Sequence, residues 1–179
     1  MVIAGPTASG KTDLAVELAL AVNGEIISAD SMQIYRGMNI GTAKPTVDER
    51  RGIPHHLIDI VNPDEEYSVA QFKEDALACI NDIKKRGKTP IVVGGTGLYI
   101  NSLVYNITFS ETIADWEYRE ELKKISEEQG PQVLSELLQK VDPKSAESIH
   151  PNNIKRIIRA LEVYKTTGTP ISEHKEASR

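Results

Sequence analysis

The octet Gly5-Pro6-Thr7-Ala8-Ser9-Gly10-Lys11-Thr12 constrains this chain more than any other stretch. It matches G-x-x-x-x-G-K-[ST] at every defined position. It also lies between a short apolar run, residues 2–4, and an amphipathic stretch that starts at Lys11. The glycines let the backbone curl so that its N–H groups converge on one anion. The helix N-terminus that follows adds partial positive charge. Lys11 can reach terminal phosphate oxygens, and the Thr12 hydroxyl can hold Mg²⁺. A strand–loop–helix of this kind commits the chain to a phosphate-binding α/β fold.

The rest of the chain reads accordingly. Leu14, Ala15, Leu18, Ala19 and Val22 recur at helical spacing, and Asn23-Gly24 closes that stripe. Residues 25–29 read as a strand ending at Asp30. Residues 31–54 lack a period and are rich in Gly, Pro and Thr, which predicts a long functional loop. A strand is expected over 56–61, a helix over about 68–86, and a buried strand over 90–93 that runs into Gly94-Gly95-Thr96-Gly97. This alternation predicts an α/β fold, a P-loop NTPase-like parallel sheet covered by helices. Beyond residue 103 the texture changes. Two short charged helices are expected over 115–129 and 131–140, and a last helix over 152–166 with Ile154, Ile157, Ile158, Leu161 and Val163 facing inward. The expected organisation is a P-loop core over 1–114, a small helical insertion over 115–149, and a return to the core over 150–179.

The net charge is −5 and the pI about 5.4, which argues against nonspecific nucleic-acid binding but permits local basic patches. Three candidates stand out: Lys44 with Arg50 and Arg51; the run Lys84, Lys85, Arg86 and Lys88; and Lys155, Arg156 and Arg159. The run at 84–88 reads as a solvated helix C-terminus, where cations suit the dipole. The last three share one helical strip and read, from spacing alone, as the polar face of an amphipathic helix. The single cysteine, Cys79, makes no internal disulfide and reads as a core filler in a reducing cytoplasm. No apolar run approaches the roughly 20 residues of a membrane span, and no secretory signal pattern opens the chain. His55 and His56 alternate across a strand and make a poor chelating pair.

The phosphate loop alone leaves its ligand open. The best apolar strand ends in Gly94 instead of the aspartate that holds Mg²⁺ in typical NTPases. Asp59 is a possible substitute. Asp30 falls on the same sheet edge as the loop, where a carboxylate serves as general base or Mg²⁺ partner, or caps the following turn.

Five blocks, GPTASGKT (5–12), ISADSMQIYRGMNIGTAKP (27–45), IPHHLIDI (53–60), VVGGTGLYI (92–100) and HPNNIKRIIRALEVY (150–164), together resemble the bacterial-type tRNA dimethylallyltransferases. The resemblance implies transfer of a dimethylallyl group from its diphosphate to N6 of the tRNA adenosine 3′ of the anticodon. It makes Asp30, Thr96 and Lys11 catalytic and gives the diphosphate to Gly5 through Thr12. It assigns Mg²⁺ to Thr12 and tRNA contact to Asp30, Ser31, Met32, Gln33, Thr96 and Arg119. Contact extends along Lys155, Arg156, Ile157, Ile158 and Arg159. Tyr35, Tyr99 and Tyr105 become candidates for stacking on an extruded base. The implied protein is a cytoplasmic monomer whose partners are tRNA and dimethylallyl diphosphate, with no membrane. Asn153 stands where the family has Asp, and both residues cap helices. The resemblance ends after Pro170, residues 171–179 read as a frayed end, and the family's C-terminal part lies outside this chain. Competing readings are a small-molecule kinase, an adenylate isopentenyltransferase, and a nucleotide-dependent switch without catalysis.

Overall fold

The computed structural model describes residues 1–107 and 115–176. Two compact units emerge, Met1–Asn106 and Ile107–Arg179.

The first unit is built on a four-stranded parallel sheet in the order β1-β4-β2-β3. The strands are β1 (Val2–Ala4), β2 (Gly24–Ser28), β3 (His55–His56) and β4 (Thr89–Gly94). Parallel strands need crossovers, and helices α1 (Lys11–Val22) and α2 (Val69–Lys85) supply them. Helix α3 (Gly97–Val104) follows β4. Side chains alternate across the sheet as the strand period requires. Ile26, Ile91 and Val93 pack with Ala15, Val16 and Ala19 of α1. Ile27, Ala29 and Val92 pack on the other face with Phe72 and Ala76 of α2 and Tyr99 of α3. Helix α2 opens with a capping box between Ser68 and Gln71.

Two expectations shift here. Val16 is buried in α1 while Leu14 is 59% exposed, so the inward stripe is rotated from the one expected. The strand expected over 56–61 shrinks to two residues, because Leu57 and Asp59 adopt left-handed backbone with φ of 60° and 56° and leave the ladder. Only an isolated bridge between Tyr35 and Val61 continues that edge.

The second unit is helical: α4 (Trp116–Gln129), α5 (Pro131–Val141), α6 (Pro143–Ser148), α7 (Ile154–Thr167) and α8 (Ile171–Glu176). Leu122, Leu134, Leu138, Ile157, Ile158 and Leu161 form its core. Helix α7 therefore shares one hydrophobic core with α4 and α5. This corrects the boundary expected at 149/150, while the division itself falls at 106/107 instead of 114/115. Residues 171–176 are helical, not frayed, and the N–H and hydroxyl of Ser172 donate to Asp142. Asn153 occupies the N-cap of α7 without a side-chain cap bond. Among the described residues no helix is long and apolar enough to cross a membrane.

Candidate active site

Three chain segments meet at the carboxyl edge of the sheet. The phosphate loop leaves β1 and turns through left-handed Ala8 (φ 61°) and Gly10 (φ 76°) into α1. Gly10 carries the positive φ that only glycine adopts freely. The loop is tied to β4 by the Gly5 N–H donating to Gly94 O at 3.4 Å. The Lys11 ammonium donates to Pro6 O and, at 3.4 Å, to Ser9 Oγ, so it lies over the concave side of the loop. Thr12 sits half-buried in the first turn of α1.

Asp30 follows β2 directly. Its Oδ1 accepts from the N–H of Met32 at 2.9 Å and of Gln33 at 3.3 Å, which makes it the cap of the next turn. Oδ2 carries no partner among the described residues. The two readings of Asp30 are therefore compatible, since one oxygen orients the carboxylate and the other remains for chemistry.

Thr96 follows β4. Its N–H donates to Ala29 O at 3.2 Å, and its Oγ1 accepts from Ser31 N–H at 2.9 Å and donates to Ser31 Oγ at 3.3 Å. The Thr96 hydroxyl thus clasps the turn that Asp30 caps. Close approach of β2 and β4 makes this possible, because a Cβ on Gly94 would overlap the Ala29 carbonyl.

Other assigned side chains have different uses. Met32 is 44% exposed beside Asp30. Gln33 donates from Nε2 to Thr42 O and Ala43 O and accepts from Ser28 Oγ, so its amide pins the 31–54 loop. Lys44 is buried and donates to Asp59 Oδ1 at 2.5 Å and Tyr35 O at 2.7 Å. Lys44 is thus not available for the surface role considered for it, and Asp59 spends Oδ1 on the ion pair. Tyr99 is buried, stacked on Phe72 at 4.1 Å between centroids, and burial pushes its hydroxyl up to about 12. That corrects its candidacy for base stacking. Tyr105 is 64% exposed. Cys79 packs at the edge of the core, and burial raises its thiol, as a filler requires.

The basic run at 84–88 is not merely a solvated face. Arg86 and Lys88 both donate to Glu25, a nearly fully buried carboxylate at the start of β2, and His56 Nε2 lies 2.8 Å from it. The Arg86 hydrogen bonds, aided by Lys88 and His56 against the opposing effect of burial, hold Glu25 far below the usual carboxylate range. His55 Nδ1 donates to Ile53 O at 2.8 Å, and burial lowers its pKa. Among the described residues no group of three or more His, Cys, Asp or Glu could hold a metal ion.

In the helical unit, Ile157 is fully buried and Ile158 nearly so, so their side chains form core, not an RNA surface. This corrects their assignment. They orient Lys155, Arg156 and Arg159 on the outer strip of α7. Arg119 of α4 donates from Nε to Glu162 Oε1 at 2.7 Å and from Nη2 to Oε2 at 2.9 Å. Arg159 Nη1 donates to Glu162 Oε2 at 2.6 Å. Glu162 and Glu25 escaped sequence reading. The available signal was a lone acidic residue inside an apolar run, as in RALEVY and EIISA.

Comparison with known proteins decides the family. The family model described as IPP transferase matches residues 33–179. The chain belongs to that family. The match runs past Pro170 to the last residue, beyond the limit expected. A tRNA dimethylallyltransferase of Acetivibrio thermocellus is 62% identical over 179 residues, which are 100% of this chain and 57% of that protein. One of Caldanaerobacter subterraneus is 57% identical over 178 residues, 99% of this chain and 56% of that protein. The full-length tRNA isopentenylpyrophosphate transferase of Bacillus halodurans superposes with a TM-score of 0.61 at 53% identity, over 94% of this chain and 56% of that one. A eukaryotic dimethylallyltransferase acting on tRNA gives a TM-score of 0.75 at 39% identity, over 96% of this chain and 42% of that one. The chain thus spans little more than half the length of the curated relatives it matches.

Proposed function

We propose that the protein transfers a dimethylallyl group from dimethylallyl diphosphate to N6 of the adenosine 3′ of the anticodon in tRNA, as a cytoplasmic monomer. The observation that carries this reading is the convergence of Asp30, Thr96 and the phosphate loop on one sheet edge, with Oδ2 of Asp30 unpartnered among the described residues. In the reaction N6 forms a bond to the allylic carbon, the bond from that carbon to diphosphate oxygen breaks, and the N6 proton passes to Asp30 Oδ2. Loop N–H groups and Lys11 stabilise charge on the departing diphosphate. Asp30 needs only modest basicity, because its task falls when the amine has become acidic by alkylation. Thr96 keeps the Asp30 turn in place through Ser31.

Thr12 fits Mg²⁺, since this ion accepts a single protein hydroxyl when phosphate oxygens and water complete its shell. When bound it would supply further neutralisation of the leaving diphosphate. Arg119, Lys155, Arg156 and Arg159 are the candidates for tRNA phosphate contact on the helical unit.

The deciding experiment is a transfer assay with radiolabelled dimethylallyl diphosphate, Mg²⁺ and unmodified total tRNA, with AMP and ATP as competing acceptors. Label in tRNA that is lost in Asp30→Ala supports the reading. Label in AMP moves the activity to an adenylate acceptor. Tight ATP binding and phosphoryl transfer without prenylation would make the chain a kinase.

A further inference from the structure

Glu162 is fully buried, and a buried carboxylate is costly unless its lone pairs are satisfied. Both oxygens are engaged: Arg119 donates twice, Arg159 once at 2.6 Å, and the Asp115 N–H at 2.9 Å. Burial alone would raise its pKa, but these donors outweigh it and hold Glu162 below the usual range. The paired bonds fix the plane of the Arg119 guanidinium, which a single contact would leave free to rotate.

That fixed guanidinium lies over Trp116, with Cζ 4.8 Å from the ring centroid. Trp116 is nevertheless 57% exposed. A large aromatic ring left in water, yet held against an ordered cation, is a flat surface prepared in advance for another ring. Charge around it is mixed. Glu117, Glu120 and Glu121 on α4 are all exposed, so no broad basic field attracts a long duplex. Recognition here would rest on pointed contacts, and an unpaired base offers the π-face that duplex RNA hides. Arg159 is held through one nitrogen only, is 40% exposed as a side chain, and keeps its remaining donors without partners among the described residues.

We infer that Trp116 is a stacking platform for an unpaired RNA base and Arg159 the contact for a neighbouring phosphate. Glu162 is the positioning residue that sets both, through Arg119 in the first case. The inference rests on the tRNA reading above and adds the part of the RNA that the helical unit meets.

Trp116 is the only tryptophan in the chain, so its emission reports this site alone. The intact protein is titrated with an RNA hairpin bearing an unpaired loop, while anisotropy of a fluorescein label follows binding independently. The hairpin is expected to quench Trp116, and a fully paired duplex of equal length is not. Trp116→Ala should weaken hairpin binding about ten-fold, and Trp116→Phe should recover most of the loss. Glu162→Gln, checked for folding by circular dichroism, should weaken binding more in the native background than in Trp116→Ala, where only the Arg159 contact is left for it to disturb. Additive losses would reduce Glu162 to a structural role and overturn its part of the inference. Hairpin binding with unchanged Trp116 emission and no effect of Trp116→Ala overturns the platform while leaving the prenyl-transfer reading intact. Absence of both hairpin binding and transfer to tRNA overturns that reading itself.

Discussion

Replacing Gly94 by alanine tests how the site is built. A Cβ at this position would overlap the Ala29 carbonyl and lie 2.9 Å from Ala29 Cα, where ordinary contact begins at 3.4 Å. The obstacle is backbone, so no side chain can swing aside. The closest atom is the Ala29 carbonyl oxygen, so strand β4 must retreat from β2 by about 1 Å or more at this point. Two hydrogen bonds span the gap: Ala29 N–H to Val93 O at 2.7 Å and Thr96 N–H to Ala29 O at 3.2 Å. Overpacking costs about 1–3 kcal/mol, and each weakened bond about 1 kcal/mol, so a loss of about 3 kcal/mol or more is expected. At this chain length that lowers Tm by roughly 10 °C. Urea unfolding followed by circular dichroism gives the free energy, and the transfer assay reports the displaced Thr96. Gly97→Ala is the internal control. A Cβ there meets nothing within 4 Å, and alanine is the better residue in a helix, so stability should rise by about 0.5–1 kcal/mol. Equal stability of the Gly94→Ala protein and the native one would refute the claim that strand proximity assembles the site.

Asp30→Asn retains a side-chain oxygen able to cap the turn but removes the proposed base, so transfer should fall about 10²–10⁴-fold while the urea midpoint stays unchanged. The folded-state pKa of Glu25 is depressed, so its contribution to stability is present above the unfolded value of about 4.3 and is lost as pH falls below it. Urea midpoints measured from neutral pH into acid should therefore decline, and more steeply for the native protein than for Glu25→Gln. Tyr99→Ala should cost about 3–5 kcal/mol through loss of a core ring, as chemical denaturation would register, whereas Tyr105→Ala should cost little. Lys84→Ala and Lys85→Ala should leave the melting temperature unchanged, in contrast to Arg86→Ala, which removes a partner from Glu25.

The phosphate loop, the order of the first elements and the placement of Asp30 and Thr96 were all legible in the sequence, for a physical reason. Sharp backbone turns demand glycine, and strands buried on both faces demand apolar runs, so both leave marks at the residue level. Less legible was whatever depends on a distant partner. The HLIDI run alternates like a strand, yet positive φ at Leu57 and Asp59 ends the pairing, and Lys44, fifteen residues from Asp59, holds that bend. Arg86 is 61 positions from Glu25, and Arg119 is 43 from Glu162. Within a local window each resembles any solvated cation. Ile157 and Ile158 illustrate the opposite error: periodicity placed them inward correctly, while the resemblance assigned the whole segment to RNA.

The two ends of β2 are fastened by different forces. At its start, Glu25 joins α2 and the entrance to β4 through ion pairs with Arg86 and Lys88, and β3 through the His56 ring, all residues that water can reach. At its finish, the absence of a side chain on Gly94 lets two backbones touch. Salt and acid act on the first fastening and find nothing to act on in the second. A gentle titration should therefore loosen the sheet from the end remote from Asp30, and hydrogen exchange read amide by amide along β2 would reveal a gradient of protection rising toward that residue.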